Sequence, residues 1–332
     1  MTSLSEAARP RAPIDAGFFV SVRGEDQWIT VRSVDAANPP LLILTGPGVA
    51  FSRMTPFFAP WEAAFTLVQW DQPGGGATFA RNGEASLTLD RLAADAAAVT
   101  EIALARLGAP RLIVLGVSGG SILGLKLAKA RPDLVAACVG AGQIVHWARQ
   151  QTLGHRLALE AALERGDAAC VAELEGLGAP PYAEIADELV FGKHANGFTP
   201  AEQAAFASLG PDGAAALAAP PPGARYVPPD LALPDPRERG LRAYLAVRDE
   251  IAAFDAWTLG LTFEVPMLFL QGDRDHYTPT AEVAAYAAAI TAPAAEMVSV
   301  PGGGHSAVFM RDVFLALLQA HALPLARGRS TV

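Results

Sequence analysis

Short runs of apolar residues alternate along the chain with longer stretches in which apolar residues recur every three or four positions. The first pattern predicts strands buried in a sheet, and the second predicts helices packed on that sheet. The predicted strands are 18–23, 28–34, 41–44, 65–70, 112–115, 134–139, 265–270 and 296–300. The predicted helices are 89–107, 121–130, 279–290 and 307–320. This alternation predicts an α/β fold in which helices flank a mostly parallel sheet of eight strands.

One long segment interrupts the alternation. After about residue 142 the strand-like runs stop, and helical patterns rich in Ala, Glu and Leu replace them for more than a hundred positions. The strand and helix pattern then returns. The sequence therefore predicts a core domain formed by residues 1–142 and 263–332, with a helical domain inserted at residues 143–262.

The fifth predicted strand leads directly into a glycine-rich turn and then a helix. The turn reads Gly116-Val117-Ser118-Gly119-Gly120, which has the pattern Gly-x-Ser-x-Gly of a nucleophile elbow. Small residues are needed in such a turn because strand and helix approach closely and the serine backbone is strained. A phosphate-binding loop is the alternative, but neither a Lys-Ser/Thr pair nor Gly-x-Gly-x-x-Gly occurs here. The pattern predicts Ser118 as a nucleophile.

A serine nucleophile needs a base and an acid, and two later loops offer candidates. His305 lies in the glycine-rich segment 301–306, directly after the last predicted strand. Asp273 and Asp275 follow the strand before it, where one carboxylate would orient the imidazole and the other would form or cap the turn. The order Ser, Asp, His along the chain is that of an α/β-hydrolase. We therefore expect Ser118, one of these aspartates and His305 to form a catalytic triad.

An acyl-transfer site also needs backbone N–H groups that stabilise the oxyanion of the tetrahedral intermediate. The residue after the nucleophile, Gly119, is one predicted donor. The second donor is expected in the loop that follows the strand at 41–44, where Gly46 has an N–H to offer and Pro47 has none. The sequence thus predicts an oxyanion hole made of Gly46 and Gly119.

Composition narrows the range of partners. The chain has 34 acidic and 25 basic residues, a formal net charge of −9 and no run of Lys and Arg, so nucleic acid is not an expected partner. Residues 1–13 lack the apolar core of a signal peptide and no apolar run could span a bilayer, which predicts a cytoplasmic protein without membrane contact. The two cysteines lack metal-ligand spacing, and the predicted chemistry needs no metal or organic cofactor. The expected partner is a small-molecule or short-peptide substrate, and nothing in the sequence indicates an oligomeric state.

Five motifs together resemble those of the prolyl aminopeptidase (proline iminopeptidase) family of α/β-hydrolases. That family has the motifs His-Gly-Gly-Pro-Gly, Asp-Gln-Arg-Gly-x-Gly-x-Ser, Gly-x-Ser-x-Gly and Gly-x-x-Asp-x-x-x-Pro, followed by a final Gly-His. The corresponding segments here are 44–48, 71–78, 116–120, 272–279 and 304–305. The resemblance covers the core on both sides of the insertion. It favours Asp275 over Asp273 as the acid of the triad, and it implies that the insertion is a cap over the active site.

The motifs of this chain depart from the family pattern at three places. Leu44 and Thr45 replace the His-Gly pair, so the Thr45 hydroxyl either donates to the oxyanion or caps its own loop. Pro73 replaces an arginine that, in the family, helps to order the loops around the site. Gly119 stands where the family usually has tryptophan, which implies more room beside the nucleophile. These departures concern specificity and leave the predicted hydrolase chemistry intact.

The resemblance implies an aminopeptidase that forms an acyl-enzyme and removes a small N-terminal residue such as proline. Such enzymes hold the free amine of the substrate with cap glutamates, and no acidic residue of the insertion matches those positions by sequence. The acidic candidates are Glu173, Glu175, Glu184, Asp187, Glu188, Asp249, Glu250 and Asp255. A carboxylesterase for small or medium esters is the alternative, expected if the pocket under the cap is apolar. A non-catalytic ligand-binding homologue is a third alternative, which the presence of all three triad residues disfavours.

Overall fold

The structure is a computed structural model that describes residues 12–210 and 226–327. The prediction that residues 1–13 are not a signal peptide falls almost wholly outside the described residues. A short part of the predicted insertion, residues 211–225, also lies outside them.

Eight strands of the described chain form one sheet. They are β1 (Ile14–Val22), β2 (Glu25–Ser33), β3 (Pro40–Leu44), β4 (Thr66–Asp71), β5 (Leu112–Val117), β6 (Val135–Ala141), β7 (Met267–Gly272) and β8 (Ala295–Val300). Their order in the sheet is β1-β2-β4-β3-β5-β6-β7-β8. Strand β2 is antiparallel to both of its neighbours, and the other neighbouring pairs are parallel. The predicted eight-stranded, mostly parallel sheet is confirmed, although its first strand begins at Ile14 rather than at residue 18.

Helices lie on both faces of the sheet and in the insertion. They are α1 (Thr55–Phe58), α2 (Gly76–Asn82), α3 (Leu89–Leu107), α4 (Gly119–Ala130), α5 (Trp147–Glu164), α6 (Ala168–Gly176), α7 (Ile185–Ala195), α8 (Pro200–Ser208), α9 (Pro236–Ala252), α10 (Thr280–Ala289), α11 (Arg311–Leu317) and α12 (Leu323–Ala326). None of these helices is long and apolar enough to cross a membrane.

The prediction of one continuous helix over residues 307–320 is wrong, because this segment is divided into shorter pieces. A 3₁₀ turn at Ala307–Phe309 comes first, and the non-helical backbone of Met310 (φ −72°, ψ 60°) separates it from α11. A π-helical turn, Leu318–Ala322, then joins α11 to α12. By contrast α3 has both predicted ends, because the Thr88 side chain accepts the N–H of Arg91 at its start and a left-handed glycine ends it.

The core lies on both faces of the sheet, because alternate side chains of each inner strand point to opposite faces. Leu42 and Leu44 of β3 join the apolar cluster that contains α3 and α4. Leu41 and Ile43 of the same strand join the cluster on the other face, which contains Phe314 of α11. This double burial is why the inner strands read as continuous apolar runs.

Between β6 and β7 the described chain is helical and contains no strand, as the change of pattern after residue 142 predicts. Helices α5, α6 and α7 share a small apolar cluster of their own, in which Leu174 and Phe191 are fully buried. Helix α9 instead contributes Val247 and Ile251 to the cluster beneath it, next to the sheet. The carboxyl ends of β5, β7 and β8 face this insertion, and the candidate site lies there.

Candidate active site

Ser118 occupies a sharp turn between β5 and α4. Its backbone has φ 53° and ψ −124°, a strained conformation for a residue other than glycine. The two flanking glycines allow the close approach that this turn requires. A Cβ on Gly116 would lie 2.6 Å from Ser121 Cα, and one on Gly120 would lie 2.1 Å from the Leu44 carbonyl oxygen. The local geometry is that of the nucleophile elbow predicted from the sequence.

Three predicted residues form a continuous hydrogen-bonded chain. The Ser118 Oγ lies 2.8 Å from His305 Nε2, and His305 Nδ1 lies 3.1 Å from Asp275 Oδ2. The side chains of His305 and Asp275 are 5% and 0% exposed, so solvent does not compete for this contact. The structure thus brings together the serine, the histidine and the aspartate that the resemblance favours.

Asp275 is fixed by donors on both of its carboxylate oxygens. Oδ1 accepts the backbone N–H groups of Tyr277 (2.9 Å) and Thr278 (2.7 Å). Oδ2 accepts Gln271 Nε2 (2.7 Å) and the Thr278 hydroxyl (2.6 Å) in addition to the contact with His305. Sequence reasoning missed Gln271 and Thr278. A signal was present, because Gln271 is a polar residue that ends an apolar strand and Asp-x-x-Thr is typical of a side-chain-capped turn.

Asp273 has a different contact. Its Oδ1 accepts the backbone N–H of Gly302 at 2.8 Å, and its side chain is exposed. This bond ties the loop after β7 to the loop that carries His305. Asp273 is therefore the turn-forming aspartate of the pair.

The predicted oxyanion donors lie side by side. A Cβ on Gly119 would lie 3.1 Å from both Gly46 Cα and Pro47 Cδ, so the two backbones are in contact. The room expected at Gly119, in place of the family's tryptophan, is thus partly occupied by the loop of Gly46 and Pro47. The Thr45 hydroxyl donates to the Val49 carbonyl, so it caps its own loop.

Glu202, at the start of α8, holds the loop before His305. Its carboxylate is fully buried and accepts the backbone N–H groups of Thr199 and Gly304, each at 2.8 Å. The Thr199 hydroxyl donates to the Gly302 carbonyl at 2.7 Å. Burial raises the pKa of Glu202, while the bonds from Thr199 and Gly304 oppose this rise. Sequence reasoning missed Glu202, although Thr-Pro-Ala-Glu is a capping-box pattern.

Asp71 and Gln72 order the loops beside the nucleophile. Gln72 Nε2 donates to the Thr45 carbonyl at 2.8 Å, which ties the loop after β4 to the loop of Gly46. Asp71 Oδ2 accepts the N–H of Ala77 at 2.8 Å, at the start of α2. Burial raises the pKa of the Asp71 carboxyl to about 6 from an ordinary value of 3.8, against the lowering effect of its hydrogen bonds.

The raised pKa of Asp71 predicts a pH-dependent stability. Between about pH 4 and pH 6 the folded protein keeps a proton that the unfolded chain has lost, so the free energy of unfolding falls as the pH rises. Asp71→Asn removes this titration. The free energy of unfolding of the variant minus that of the wild type should therefore rise by about 2 kcal/mol from pH 4.5 to pH 7. Urea unfolding of both proteins at both pH values measures this difference.

Asp235→Asn is the control for this measurement. Asp235 caps α9, and its bonds with the N–H groups of Glu238 and Arg237 lower its pKa. Because its pKa is lowered rather than raised, Asp235 does not hold a proton in the folded protein across the pH range in which Asp71 does. The free energy of unfolding of Asp235→Asn should differ from that of the wild type by the same amount at pH 4.5 and at pH 7. If the difference for Asp71→Asn also stayed constant, the raised pKa of Asp71 would be wrong.

A cavity of about 180 Å³ opens onto Ser118. Gly46, Pro47 and Gly119 form its floor together with the serine, and the remaining lining residues are mainly apolar or aromatic. Those remaining residues are Val49, Ile144, Trp147, Gly240, Tyr244, Ile251 and Tyr277. None of the side chains described around this cavity carries a charge. Ile144, Trp147, Gly240, Tyr244 and Ile251 belong to the insertion, so the insertion forms part of the cavity wall.

A carboxylate of the insertion lies just behind this lining. Glu188 is buried and accepts hydrogen bonds from Trp147 Nε1 (3.2 Å), Gln151 Nε2 (3.2 Å) and the Tyr244 hydroxyl. Its second oxygen accepts Arg248 Nε at 2.7 Å. The charge of Glu188 is therefore compensated within the insertion. No group of three or more His, Cys, Asp or Glu side chains in the described residues is placed to hold a metal ion.

Comparisons with known proteins agree with this architecture. Residues 41–312 match the family described as having the alpha/beta hydrolase fold. The chain is 26% identical over 314 residues to "Probable aminopeptidase YbaC" of Bacillus subtilis (strain 168), across 91% of this chain and 95% of that protein.

Two solved structures share the fold at low sequence identity. A proline iminopeptidase-related protein from Thermus thermophilus has a TM-score of 0.64 and 17% identity, over 95% of this chain and 99% of that one. Est816, described as an N-acyl homoserine lactone degrading enzyme, has a TM-score of 0.60 and 18% identity, over 91% of this chain and 99% of that one. The resemblance to proline iminopeptidases noted in the sequence is confirmed by these likenesses, and the chain belongs to the alpha/beta hydrolase fold family.

Proposed function

We propose that this hydrolase is a serine hydrolase that acts through an acyl-enzyme, with Ser118 as nucleophile, His305 as base and Asp275 as the acid that orients the base. The observation that carries the proposal is the hydrogen-bonded chain from Ser118 Oγ through His305 to Asp275. Serine, imidazole and carboxylate in this order have the geometry that activates a hydroxyl at neutral pH.

The reaction follows from the positions of these groups. Ser118 Oγ attacks the carbonyl carbon of the substrate while His305 Nε2 takes the hydroxyl proton. The tetrahedral intermediate collapses, the bond to the alcohol or amine breaks, and His305 gives its proton to that leaving group. A water molecule then attacks the acyl carbon, His305 takes a proton from the water, and Ser118 leaves with that proton. Asp275 stays ionised and stabilises the imidazolium.

Gly46 and Gly119 are proposed to bind the oxyanion through their backbone N–H groups. Among the backbone hydrogen bonds of turns, loops and helix ends in the described chain, none is donated by the N–H of Gly46 or of Gly119. Both groups are therefore available to an oxyanion. Gly119 is also the first residue of α4, so the positive end of that helix dipole adds to the stabilisation of negative charge. Loss of one such donor typically lowers turnover about 10²- to 10³-fold.

We further propose that residues 143–262 are a cap domain and that the cavity beneath them binds an acyl group. The lining of this cavity is apolar apart from the serine, two tyrosines and the oxyanion loop. A cationic amine placed there would lose its hydration without gaining a carboxylate partner. The geometry therefore favours a carboxylesterase for small or medium acyl groups.

An aminopeptidase is the second candidate, and the likeness to a probable aminopeptidase over most of the chain favours it. This function needs a carboxylate that is free to bind the α-amino group of the substrate. Glu188 is the buried candidate nearest to the cavity, and Arg248 holds it at 2.7 Å. To bind an amine there, the protein would have to give up this ion pair.

A matched pair of anilides separates the two candidates. Proline p-nitroanilide and cyclopentanecarbonyl p-nitroanilide share a leaving group and a five-membered ring, and they differ only in that the ring NH of the first is a CH₂ group in the second. We expect kcat/KM for the prolyl anilide to be at least about 10²-fold lower than for the anilide without the amine, because the apolar cavity does not compensate the ammonium charge. p-Nitrophenyl butyrate, which is more reactive, checks that the enzyme is active, and Ser118→Ala is the blank.

Faster cleavage of the prolyl anilide would contradict the esterase proposal. It would mean that a carboxylate reaches the amine in the Michaelis complex. Glu188→Gln would then be expected to remove the preference for the prolyl compound, and Glu184→Gln, on the exposed start of α7, serves as its control.

A further inference from the structure

A second cavity lies next to the one that contains Ser118. Its volume is about 360 Å³, twice that of the first. Tyr244 and Tyr277 line both cavities, so their side chains form the wall between them. Glu188, which accepts the Tyr244 hydroxyl, and Asn196 also line the second cavity. The second cavity therefore borders the space in which a substrate would react at Ser118.

Two residues of the second cavity contact His305 or the residue that follows it. The Tyr277 ring meets the His305 ring edge-on, with ring centroids 4.8 Å apart. Asn196 accepts a hydrogen bond of 3.4 Å from the hydroxyl of Ser306, which follows His305 in the chain. Because His305 must reach the departing atom with its proton, the leaving group occupies the histidine side of the nucleophile.

The Tyr277 side chain is rigid, and its hydroxyl is available. Its ring packs against Trp147, Phe191 and His305, with centroid distances of 5.0, 5.7 and 4.8 Å. Its hydroxyl has no hydrogen-bond partner among the described residues, whereas the Tyr244 hydroxyl donates to Glu188. Burial raises the pKa of Tyr277, so the phenol stays protonated and can both donate and accept a hydrogen bond.

The charged residues around the second cavity are already compensated. Glu188 is paired with Arg248 at 2.7 Å, and Lys193 is paired with Glu173 at 2.6 Å. An anionic or cationic ligand would have to compete with these pairs. A neutral ligand group that carries an oxygen or an N–H does not compete with these ion pairs, and it can form a hydrogen bond with the Tyr277 hydroxyl in the cavity wall.

We propose that the second cavity binds the leaving group of the substrate and that the Tyr277 hydroxyl forms a hydrogen bond with a neutral polar group on it. The favoured substrates are then esters of hydroxylated or otherwise oxygen-bearing alcohols, with an apolar acyl group in the first cavity. This inference rests on the serine hydrolase function proposed above.

Two helix glycines allow a direct test of which cavity binds the acyl group and which binds the leaving group. A Cβ on Gly192 of α7 would point into the second cavity, 3.5 Å from Tyr277 Cε2. A Cβ on Gly240 of α9 would meet nothing closer than Val49 Cγ2, at 3.9 Å, in the first cavity. At both sites an added Cβ therefore meets side-chain atoms at ordinary contact distances and no backbone. Gly192→Leu narrows the second cavity, and Gly240→Leu narrows the first.

The readout is kcat/KM for two ester series. One series varies the alcohol from methyl to hexyl on a butyrate, and the other varies the acyl group from acetyl to hexanoyl on a methyl ester. Gly192→Leu should lower the ratio of hexyl to methyl butyrate about tenfold or more, and Gly240→Leu should lower the ratio of methyl hexanoate to methyl acetate to a similar degree. The opposite pairing of variants and series, or the same response from both variants, would overturn the proposal.

Tyr277→Phe tests the hydrogen bond. The two substrates are 3-hydroxypropyl butyrate and n-butyl butyrate, which have the same number of heavy atoms and differ in one hydroxyl. The variant should lower the ratio of kcat/KM for the first over the second about three- to tenfold, the range of one hydrogen bond to a neutral group. An unchanged ratio would overturn the role given to Tyr277.

Failure of the underlying function gives a different result. If the wild type hydrolyses no ester and a fluorophosphonate does not label Ser118, the serine hydrolase proposal falls, and the leaving-group site falls with it. If the wild type is active and labelled but Gly192→Leu and Gly240→Leu respond alike in the two ester series, only the leaving-group site is wrong.

Discussion

Replacement of Ser118 by alanine should lower kcat on the order of 10⁶-fold while the fold is retained. The reason is that Ser118 Oγ lies 2.8 Å from His305 Nε2 and lines the cavity proposed for the acyl group. Residual turnover through the oxyanion donors alone is expected to stay about 10³- to 10⁴-fold above the uncatalysed rate. The measurement is steady-state hydrolysis of p-nitrophenyl butyrate, together with covalent labelling by a fluorophosphonate.

Ser306→Ala is the matched control. Ser306 follows His305 in the chain, and its hydroxyl contacts Asn196 rather than the triad. Labelling should be lost in Ser118→Ala and kept in Ser306→Ala. Far-ultraviolet circular dichroism and the thermal midpoint of both variants check that the fold is intact. Labelling that persists in Ser118→Ala would show that another residue is the nucleophile.

The elbow could be predicted because its residues obey a local rule. A strand that turns at once into a helix needs glycine at 116 and at 120, where a Cβ would overlap neighbouring backbone. The turn itself then makes the serine side chain project from the end of the strand, without the help of any distant contact. The strands of the sheet were predictable for a similar reason, since burial on both faces requires continuous apolar runs.

The supports of the site were harder to predict, because they join segments that are distant in the chain. Glu202 reads as an ordinary capping residue of α8, and its bond with Gly304 crosses 102 positions. Gln72 reads as part of a loop motif, and its bond with the Thr45 carbonyl depends on the order of β3 and β4 in the sheet. Such contacts follow from packing, which no local pattern encodes.

The residues that line the cavity could not be predicted from the sequence either, because they also come together only through packing. The insertion offered eight acidic candidates for an amine site, and burial with Arg248 distinguishes Glu188 from the others only in three dimensions. The role of Thr45 was also left open by the sequence. Its hydroxyl and the Val49 carbonyl are close only because the Gly46–Pro47 turn folds back on itself.

Asp275→Asn should lower kcat about 10⁴-fold, whereas Asp273→Asn should change it less than about tenfold. The Asp275 Oδ2 atom accepts three donors, from His305, Gln271 and Thr278. An amide placed with its oxygen on the backbone N–H groups of the turn would aim its NH₂ group at all three. The imidazole would then take the wrong tautomer, and its Nε2 could no longer accept the proton of Ser118.

The same substitution at Asp273 leaves its contact intact. Asp273 Oδ1 accepts one N–H, from Gly302 at 2.8 Å, and an asparagine oxygen can accept that bond as well. The two variants thus make the same chemical change two residues apart, so any general effect of charge removal appears in both. Steady-state kcat on p-nitrophenyl butyrate is the measurement, with the thermal midpoint as the check on folding. If Asp273→Asn proved the more damaging, Asp273 would be the acid of the triad, and the 3.1 Å contact between Asp275 and His305 would be structural.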